Sequence, residues 1–166
     1  MFLAWTIFGF FSWTLMEYLV HRWVFHGEED WLNKLPWGRY TWTGHFLIHG
    51  IHHAFPQERL RLTFPPIPGM AIVYGIAIAP YKSFLPQEVF PTFCFGIILG
   101  YISYEMMHYY VHHGSPSKGT HLNEMKLYHL QHHYKHGTIG FGVTSKGWDY
   151  IFDTRINEIH KKSEVK

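Results

Sequence analysis

The sequence is poor in cysteine and in unbalanced charge. Its single cysteine, Cys94, excludes both a disulfide framework and a cluster of thiolate ligands. Fourteen Lys and Arg residues nearly balance twelve Asp and Glu residues, which leaves a formal charge of only +2. No basic stripe interleaved with aromatic residues is present either, so we expect no nucleic-acid partner.

Basic residues are absent from the start of the chain. No Lys or Arg precedes Arg22, and no Ala-x-Ala follows the apolar residues 1–20. A cleaved signal peptide would need both features, so we interpret 1–20 as a retained membrane span. About 20 helical residues cross a hydrocarbon core of roughly 30 Å. Apolar stretches at 64–81 and 89–107 complete the pattern, and we predict a single all-α domain over 1–166 with about three spans.

Histidine, in contrast, is abundant, with 15 copies in 166 residues. Two boxes, 49–53 and 129–133, share the spacing i, i+3, i+4, which places three rings on one helix face. Two pairs, at 21 and 26 and at 108 and 112, add four more rings. Neutral imidazole binds Zn, Cu, Fe and Ni. Ten rings are too many for one metal ion and suit a di-metal centre.

The predicted spans place every histidine cluster at the same face of the membrane. The clusters follow the first span, precede the second and follow the third. All Lys and Arg residues except Lys82 fall on that side too, which the positive-inside rule makes cytoplasmic. We therefore expect a helical membrane stem and a cytosolic, histidine-rich helical cap that holds the metals.

Several other metal chemistries fit the sequence less well. The metalloprotease motif His-Glu-x-x-His is absent. A membrane haem electron carrier stays an alternative from another class, although it needs single histidines on facing helices rather than dense groups at helix ends. Carboxylates, the usual ligands of soluble di-iron bundles, are scarce among the clusters. An oxygen-activating iron pair held by histidine at the membrane face could oxidise a C–H bond of a lipid tail.

Longer strings around the histidines carry a family resemblance, which runs from Glu17 to Thr154. The chain resembles the fatty acid hydroxylase superfamily, and most closely its fatty acid 2-hydroxylase branch. The histidine boxes are common to the superfamily, whereas the other strings are more specific to the branch. The strings are His-Arg-Trp-Val-Phe-His at 21–26, His-Gly-Ile-His-His at 49–53, Arg-Leu-Thr-Phe-Pro-Pro at 61–66, Gly-Tyr-Ile-Ser-Tyr-Glu at 100–105, His-Tyr-Tyr-Val-His-His at 108–113, Tyr-His-Leu-Gln-His-His-Tyr-Lys at 128–135 and Gly-Phe-Gly-Val-Thr-Ser at 140–145.

The resemblance implies a non-haem di-iron oxidase that uses O2 and two electrons to hydroxylate C2 of a fatty acyl chain. It implies two iron ions, with zinc possible in purified protein, and a lipid substrate in the membrane. The implied metal ligands are His21, His26, His49, His52, His53, His108, His112, His129, His132 and His133.

Two departures from the family pattern accompany the resemblance. Members usually have four spans rather than three. Fungal and animal enzymes of the branch carry a fused cytochrome b5 domain, for which 166 residues leave no room, so we expect a separate cytochrome b5-like or ferredoxin-like electron donor. A carotenoid ring hydroxylase is the second enzyme alternative, because such proteins are also short and histidine-boxed. The strings at 61–66 and 140–145 argue against it.

Some polar residues outside the ten are also candidates for a role. Glu17 and Glu105 each precede a box histidine by about one turn, and carboxylates commonly accept the second ring N–H of a metal-bound histidine. Asp149 is a weaker candidate for the same role. The remaining histidines are expected outside the metal sites, as neighbours (His45, His113) or in solvent (His121, His136, His160).

Overall fold

The computed structural model describes residues 2–27, 31–36, 38–63 and 66–157, which form helices and loops without a strand among them. Most of the longer elements are α-helices, and three of them continue into wider π-helical turns. In chain order they are α1 (Phe2–Leu19) with the π turn Val20–Phe25, α2 (Gly38–His45) with the π turn Phe46–Gly50, α3 (Ile51–Ala54), α4 (Pro66–Ile72) with the π turn Val73–Ile78 and the 3-10 turn Ala79–Ser83, α5 (Phe90–His113), α6 (His121–Tyr134) and α7 (Gly147–Ile151). Short 3-10 turns cover Leu32–Lys34 and Arg59–Arg61.

Two of these helices are long and apolar enough to cross a membrane. They are Phe2–Phe25 and Phe90–His113, each of 24 residues. They match the predicted spans at 1–20 and 89–107. Many of their large apolar side chains are exposed, including Phe2, Phe11 and Phe95 at 75%, 61% and 55%. Lipid tails around these helices would bury the exposed apolar surface, whereas in water this surface would stay exposed.

The predicted span at 64–81 has a different form. Its first two residues lie outside the described ranges, and the rest is helical but interrupted, since α4 gives way to a π turn and then to a 3-10 turn. Prolines at both ends of the stretch, among them Pro80, limit the length of any regular helix there. No helix of membrane-crossing length therefore occurs in this part of the described chain.

Close packing of α1 against α5 forms the centre of the stem. A side chain at Gly9 would collide with the backbone of Phe93, and one at Gly96 with the backbone of Thr6. Small residues allow this approach of two membrane helices, and Gly96 lies four residues before Gly100, which packs on a tryptophan ring. The sequence interpretation missed this small-xxx-small signal. The buried core beside it contains Trp13, Val73, Ala77, Ile78, Phe93 and Ile97.

The π turn after α1 determines the directions in which the side chains of His21 and His26 extend. The backbone N–H of His26 donates to the carbonyl of His21 at 3.1 Å, which is the i→i+5 bond of a π turn. In such a turn residues five apart come close to the same face. His21 and His26 are thereby aligned, although an α-helix would separate them.

Candidate metal centre

All ten predicted histidines converge in two groups of five, which we call site A and site B. The ring nitrogens that each site offers lie within 4.8 Å of one another, and most of the rings are buried. The structure thus brings together every residue of the predicted ligand set. Site A contains His21, His26, His49, His53 and His132, and site B contains His52, His108, His112, His129 and His133.

The spacing of nitrogens in site A fits a shared cation better than hydrogen bonds. Nε2 of His26 lies 3.1 Å from Nε2 of His53, 3.2 Å from that of His49 and 3.1 Å from that of His132. One ring nitrogen has either one hydrogen or one lone pair and forms one ordinary hydrogen bond, so these three contacts cannot all be hydrogen bonds. A metal ion about 2.1 Å from each imidazole nitrogen would have neighbouring ligands about 3.0 Å apart if they meet at right angles.

Site B repeats this spacing. Nε2 of His108 lies 3.1 Å from that of His52, and Nε2 of His129 lies 2.9 Å from that of His112 and 3.0 Å from that of His133. Both sites can therefore hold a metal ion through imidazole nitrogens. Such groups of five rings differ from the pair of facing axial ligands that a bis-histidine haem requires.

The two boxes cross between the sites, which means that each box contributes histidines to both. In the box at 49–53, His49 and His53 enter site A and His52 enters site B. In the box at 129–133 the outer pair enters site B, and the middle ring, His132, enters site A. Each site is completed by a pair at the C-terminal end of one candidate membrane helix, His21 and His26 in site A and His108 and His112 in site B. The two sites therefore have the same composition with the roles of the boxes exchanged. The sequence interpretation did not predict this division.

Burial keeps these rings neutral. It lowers the pKa of His26 to about 2, with the neighbouring His132 as the next cause. Burial likewise lowers the pKa of His52 and of His53 to about 3, and that of His132 to about 4. A buried imidazolium would be poorly solvated and would be repelled by its neighbours. The lone pairs that a metal needs are therefore available at neutral pH.

Backbone carbonyls orient two rings of site A. Nδ1 of His21 lies 2.6 Å from the carbonyl oxygen of Phe141, and Nδ1 of His132 lies 2.9 Å from that of Ile139. A carbonyl can only accept, so each Nδ1 carries the hydrogen and donates it. Nε2 then keeps its lone pair, directed into site A, which is the usual arrangement of a metal-binding histidine.

The prediction that Glu17 accepts a ring N–H from His21 was wrong. Oε1 of Glu17 accepts the backbone N–H groups of Val143 and Thr144 at 3.0 and 2.8 Å, and Oε2 accepts the hydroxyl of Thr144 at 2.7 Å. The reason is that Nδ1 of His21 already donates its hydrogen to the backbone carbonyl of Phe141.

Asp149 also binds backbone rather than a ring. Its carboxylate accepts the N–H groups of Phe141 and Gly142 at 2.9 and 2.8 Å, and the hydroxyl of Thr154 at 2.7 Å. Its side chain is completely buried. Glu105 lines a cavity next to His108, and its role at a ring stays a prediction.

Among the described residues, the other histidines lie outside both sites. Nε2 of His45 donates to the carbonyl of Phe25 at 2.5 Å, so His45 is a neighbour of site A rather than an eleventh member. His113 is half-buried and His121 is exposed. His136, two residues after the end of α6, is half-buried rather than solvent-facing as predicted. His160 lies outside the described residues.

A cavity of about 520 Å³ adjoins the two sites. Its wall includes His49 of site A together with His52 and His108 of site B. Most of the remaining wall is apolar, with Val73 and Ala77 among its residues. Its volume is within the range of small-molecule and lipid pockets, about 300–1,000 Å³. A hydrocarbon chain in this cavity would meet rings from both sites.

Comparison with known proteins adds an independent result. A family model described as fatty acid hydroxylase matches residues 6–154. The fatty acid 2-hydroxylase of Macaca fascicularis is 41% identical over 150 residues, which are 90% of this chain and 39% of that protein. A dihydroceramide fatty acyl 2-hydroxylase of Arabidopsis thaliana is 39% identical over 147 residues, which are 89% of this chain and 58% of that protein.

One solved structure is also similar. It is described as full-length scs7p with only the hydroxylase domain visible, and it matches with a TM-score of 0.82 at 36% identity. The match covers 92% of this chain and 55% of that one. The chain spans about 40% of the length of its mammalian relatives.

Proposed function

Because the chain belongs to the fatty acid hydroxylase family, we propose that it hydroxylates C2 of a lipid acyl chain in the membrane. The acyl chain would be that of a fatty acid or the N-acyl chain of a sphingolipid, since the relatives include enzymes named for each. The resemblance predicted from the sequence strings is confirmed by the family match. The observation that carries the proposal is the pair of five-histidine sites beside an apolar cavity.

Two iron ions would occupy sites A and B, with the ten box histidines as their ligands. Zinc could replace iron in purified protein, because imidazole sites do not exclude it. When bound, the iron pair would supply O2 activation: two electrons and two protons reduce O2, one oxygen atom enters the C2–H bond and the other leaves as water.

The protein's own residues would hold the reactants. The carbonyls of Ile139 and Phe141 fix two rings so that their Nε2 lone pairs face site A. The apolar wall of the cavity would enclose the hydrocarbon tail and exclude water. C2 lies next to the polar head of the substrate, so the head would stay near the interface while the tail remains in an apolar surround. This avoids a cost of about 0.8 kcal/mol for each CH2 exposed to water.

We further propose that the metal sites face the cytoplasm and that a cytochrome b5-like or ferredoxin-like protein delivers the electrons. The distribution of Lys and Arg supports this orientation, because all but Lys82 would lie on the side of the histidine boxes if the interrupted helical stretch 64–81 crosses the membrane as predicted. The reaction consumes two electrons per turnover. Reconstitution with each donor class, measured as O2 consumption coupled to product, tests the second point.

The experiment that tests the function is lipid analysis of cells that express the protein. We expect 2-hydroxy acyl chains of one hand, which mass spectrometry and chiral chromatography of extracted lipids would detect. His132→Ala should abolish the product, whereas His121→Ala, at an exposed position, should retain it. Mid-chain hydroxylation, new double bonds or hydroxylated carotenoids as the sole product would contradict the assignment.

Metal content provides a second test. Elemental analysis of purified protein should give two metal ions per chain. One ion or fewer in active protein would contradict the two-site arrangement, and a Soret absorption band would favour a haem electron carrier instead.

A further inference from the structure

Residues 139–144, which we call the strap loop, lie between α6 and α7 and run beside site A. The loop presents the carbonyls of Ile139 and Phe141 to His132 and His21. Between them, Gly140 has a φ of 79°, a left-handed conformation that favours glycine. A side chain there would also collide with Ile156. The backbone shape of the loop therefore sets the direction of both carbonyls.

Two buried carboxylates hold the strap loop in this shape. Four consecutive backbone N–H groups, from residue 141 to residue 144, donate to Asp149 and Glu17 at 2.8–3.0 Å. Glu17 belongs to α1, and His21 lies in the π turn that continues this helix, whereas Asp149 belongs to α7. The loop is thus clamped between the first membrane helix and the last helix of the described chain.

Four of the five rings of site B lack this support within the described part of the chain. In these four rings the Nδ1 atom is buried and has no protein hydrogen-bond partner among the described residues. The rings are those of His52, His112, His129 and His133. The strap loop therefore distinguishes two sites that otherwise have the same composition. A donor bond from the outer nitrogen fixes a ring's tautomer and orientation and makes it a better metal ligand.

We propose that the strap loop makes site A the tighter of the two metal sites, with Glu17 and Asp149 as its positioning residues. This inference rests on the proposed binding of one metal ion at each site. Neither carboxylate reaches a metal-binding nitrogen. Both act through the backbone, by keeping two carbonyls where His21 and His132 can donate to them. Partners of this kind typically change metal affinity by about 10- to 100-fold.

Two variants separate the sites for a test. His112→Ala disables site B and leaves site A to be measured, and His132→Ala does the reverse. Metal retention against a competing chelator is then measured by elemental analysis of folded protein in each background. We expect site A to retain its ion at higher chelator concentration than site B.

Glu17 provides the decisive comparison. Glu17→Ala should weaken metal binding about 10- to 100-fold in the His112→Ala background and leave it unchanged in the His132→Ala background. Glu17→Gln is the matched control, because its one carbonyl oxygen can still accept the N–H groups of Val143 and Thr144, and it should restore retention. If Glu17→Ala does not fold, Thr144→Val removes only the hydroxyl bond to Glu17 and should produce a smaller loss at the same site.

The outcomes distinguish the inference from the proposed function. Fewer than two metal ions in the wild-type protein would overturn the two-metal function and the inference together. Two metal ions, combined with equal effects of Glu17→Ala at both sites, no effect at either, or a tighter site B, would overturn the inference alone.

Discussion

His52 and His132 hold the same position in two boxes of identical spacing, and each lies in the site that the other box mainly builds. Neither site is therefore complete unless α3 and α6 are both in place. The crossing joins the two sites mechanically, because displacement of one helix removes ligands from both. The proposed substrate, in the cavity beside His49, His52 and His108, would contact histidines of both sites, which the two helices position together.

The crossing predicts a specific pattern of metal loss. Elemental analysis should show one remaining ion in His132→Ala and one in His132→Ala combined with His53→Ala, because both residues belong to site A. His132→Ala combined with His52→Ala should leave none. His121→Ala, outside both sites, should retain two. Loss of both ions in the first double variant would contradict the division.

Helix packing predicts a large effect at Gly96. Gly96→Leu should lower the free energy of unfolding by about 1–3 kcal/mol or more, because the new side chain meets the backbone of α1. Thermal unfolding in detergent measures the change. Gly75→Ala is the control, since a methyl group there has open space. Similar stability of the two variants would show that the close approach of α1 and α5 is not required.

The buried rings predict how the metal-free protein responds to pH. The pKa values of His26, His53 and His132 lie at about 2, 3 and 4 in the folded chain, whereas an unfolded chain has them near about 6.5. Between these values the unfolded state binds more protons, so stability falls as pH decreases below about 6.5. Above that pH the rings are neutral in both states and contribute no pH dependence.

Denaturant unfolding at several pH values measures this effect. The metal-free protein should unfold at progressively lower denaturant concentration from pH 7 to pH 5. The metal-bound protein should unfold at a higher midpoint at each pH, because the metal binds the folded rings, whose pKa values of about 2, 3 and 4 for His26, His53 and His132 lie below this range. An unchanged midpoint across this range would contradict neutral burial of the histidines.

The cavity predicts a change in the chain length of the product. Ala77 is buried in the cavity wall, and Ala77→Phe would occupy space that the acyl tail needs. We expect the product distribution, measured by mass spectrometry of extracted lipids, to shift towards shorter chains. Ala71→Phe is the matched control, because Ala71 is exposed and does not line the cavity. Equal product profiles would place the tail elsewhere.

Much of the site could be predicted from local spacing, because the boxes and pairs repeat within single helices. The division between sites could not. Successive residues of an α-helix differ by about 100°, so His52 and His53 point to different sites, and only the position of the other box decides which site each one enters. Glu17 was misassigned for a similar reason: it is near His21 in sequence, but its partner Val143 is 126 residues away. Contacts of that range leave no local pattern.

The π turn at Val20–Phe25 has a consequence for how this helix tolerates change. The one extra residue in this turn rotates the residues that follow it by about 100° around the helix axis, relative to a continuous α-helix. The residues of α1 that face lipid are therefore fixed by the α-helical part, whereas the directions of the His21 and His26 side chains are fixed by the π turn. Substitutions can tune the stem to a different bilayer without rotating the ligands, whereas deletion of one residue within the turn would rotate His26 away from His21 and dismantle site A in a stem that still inserts.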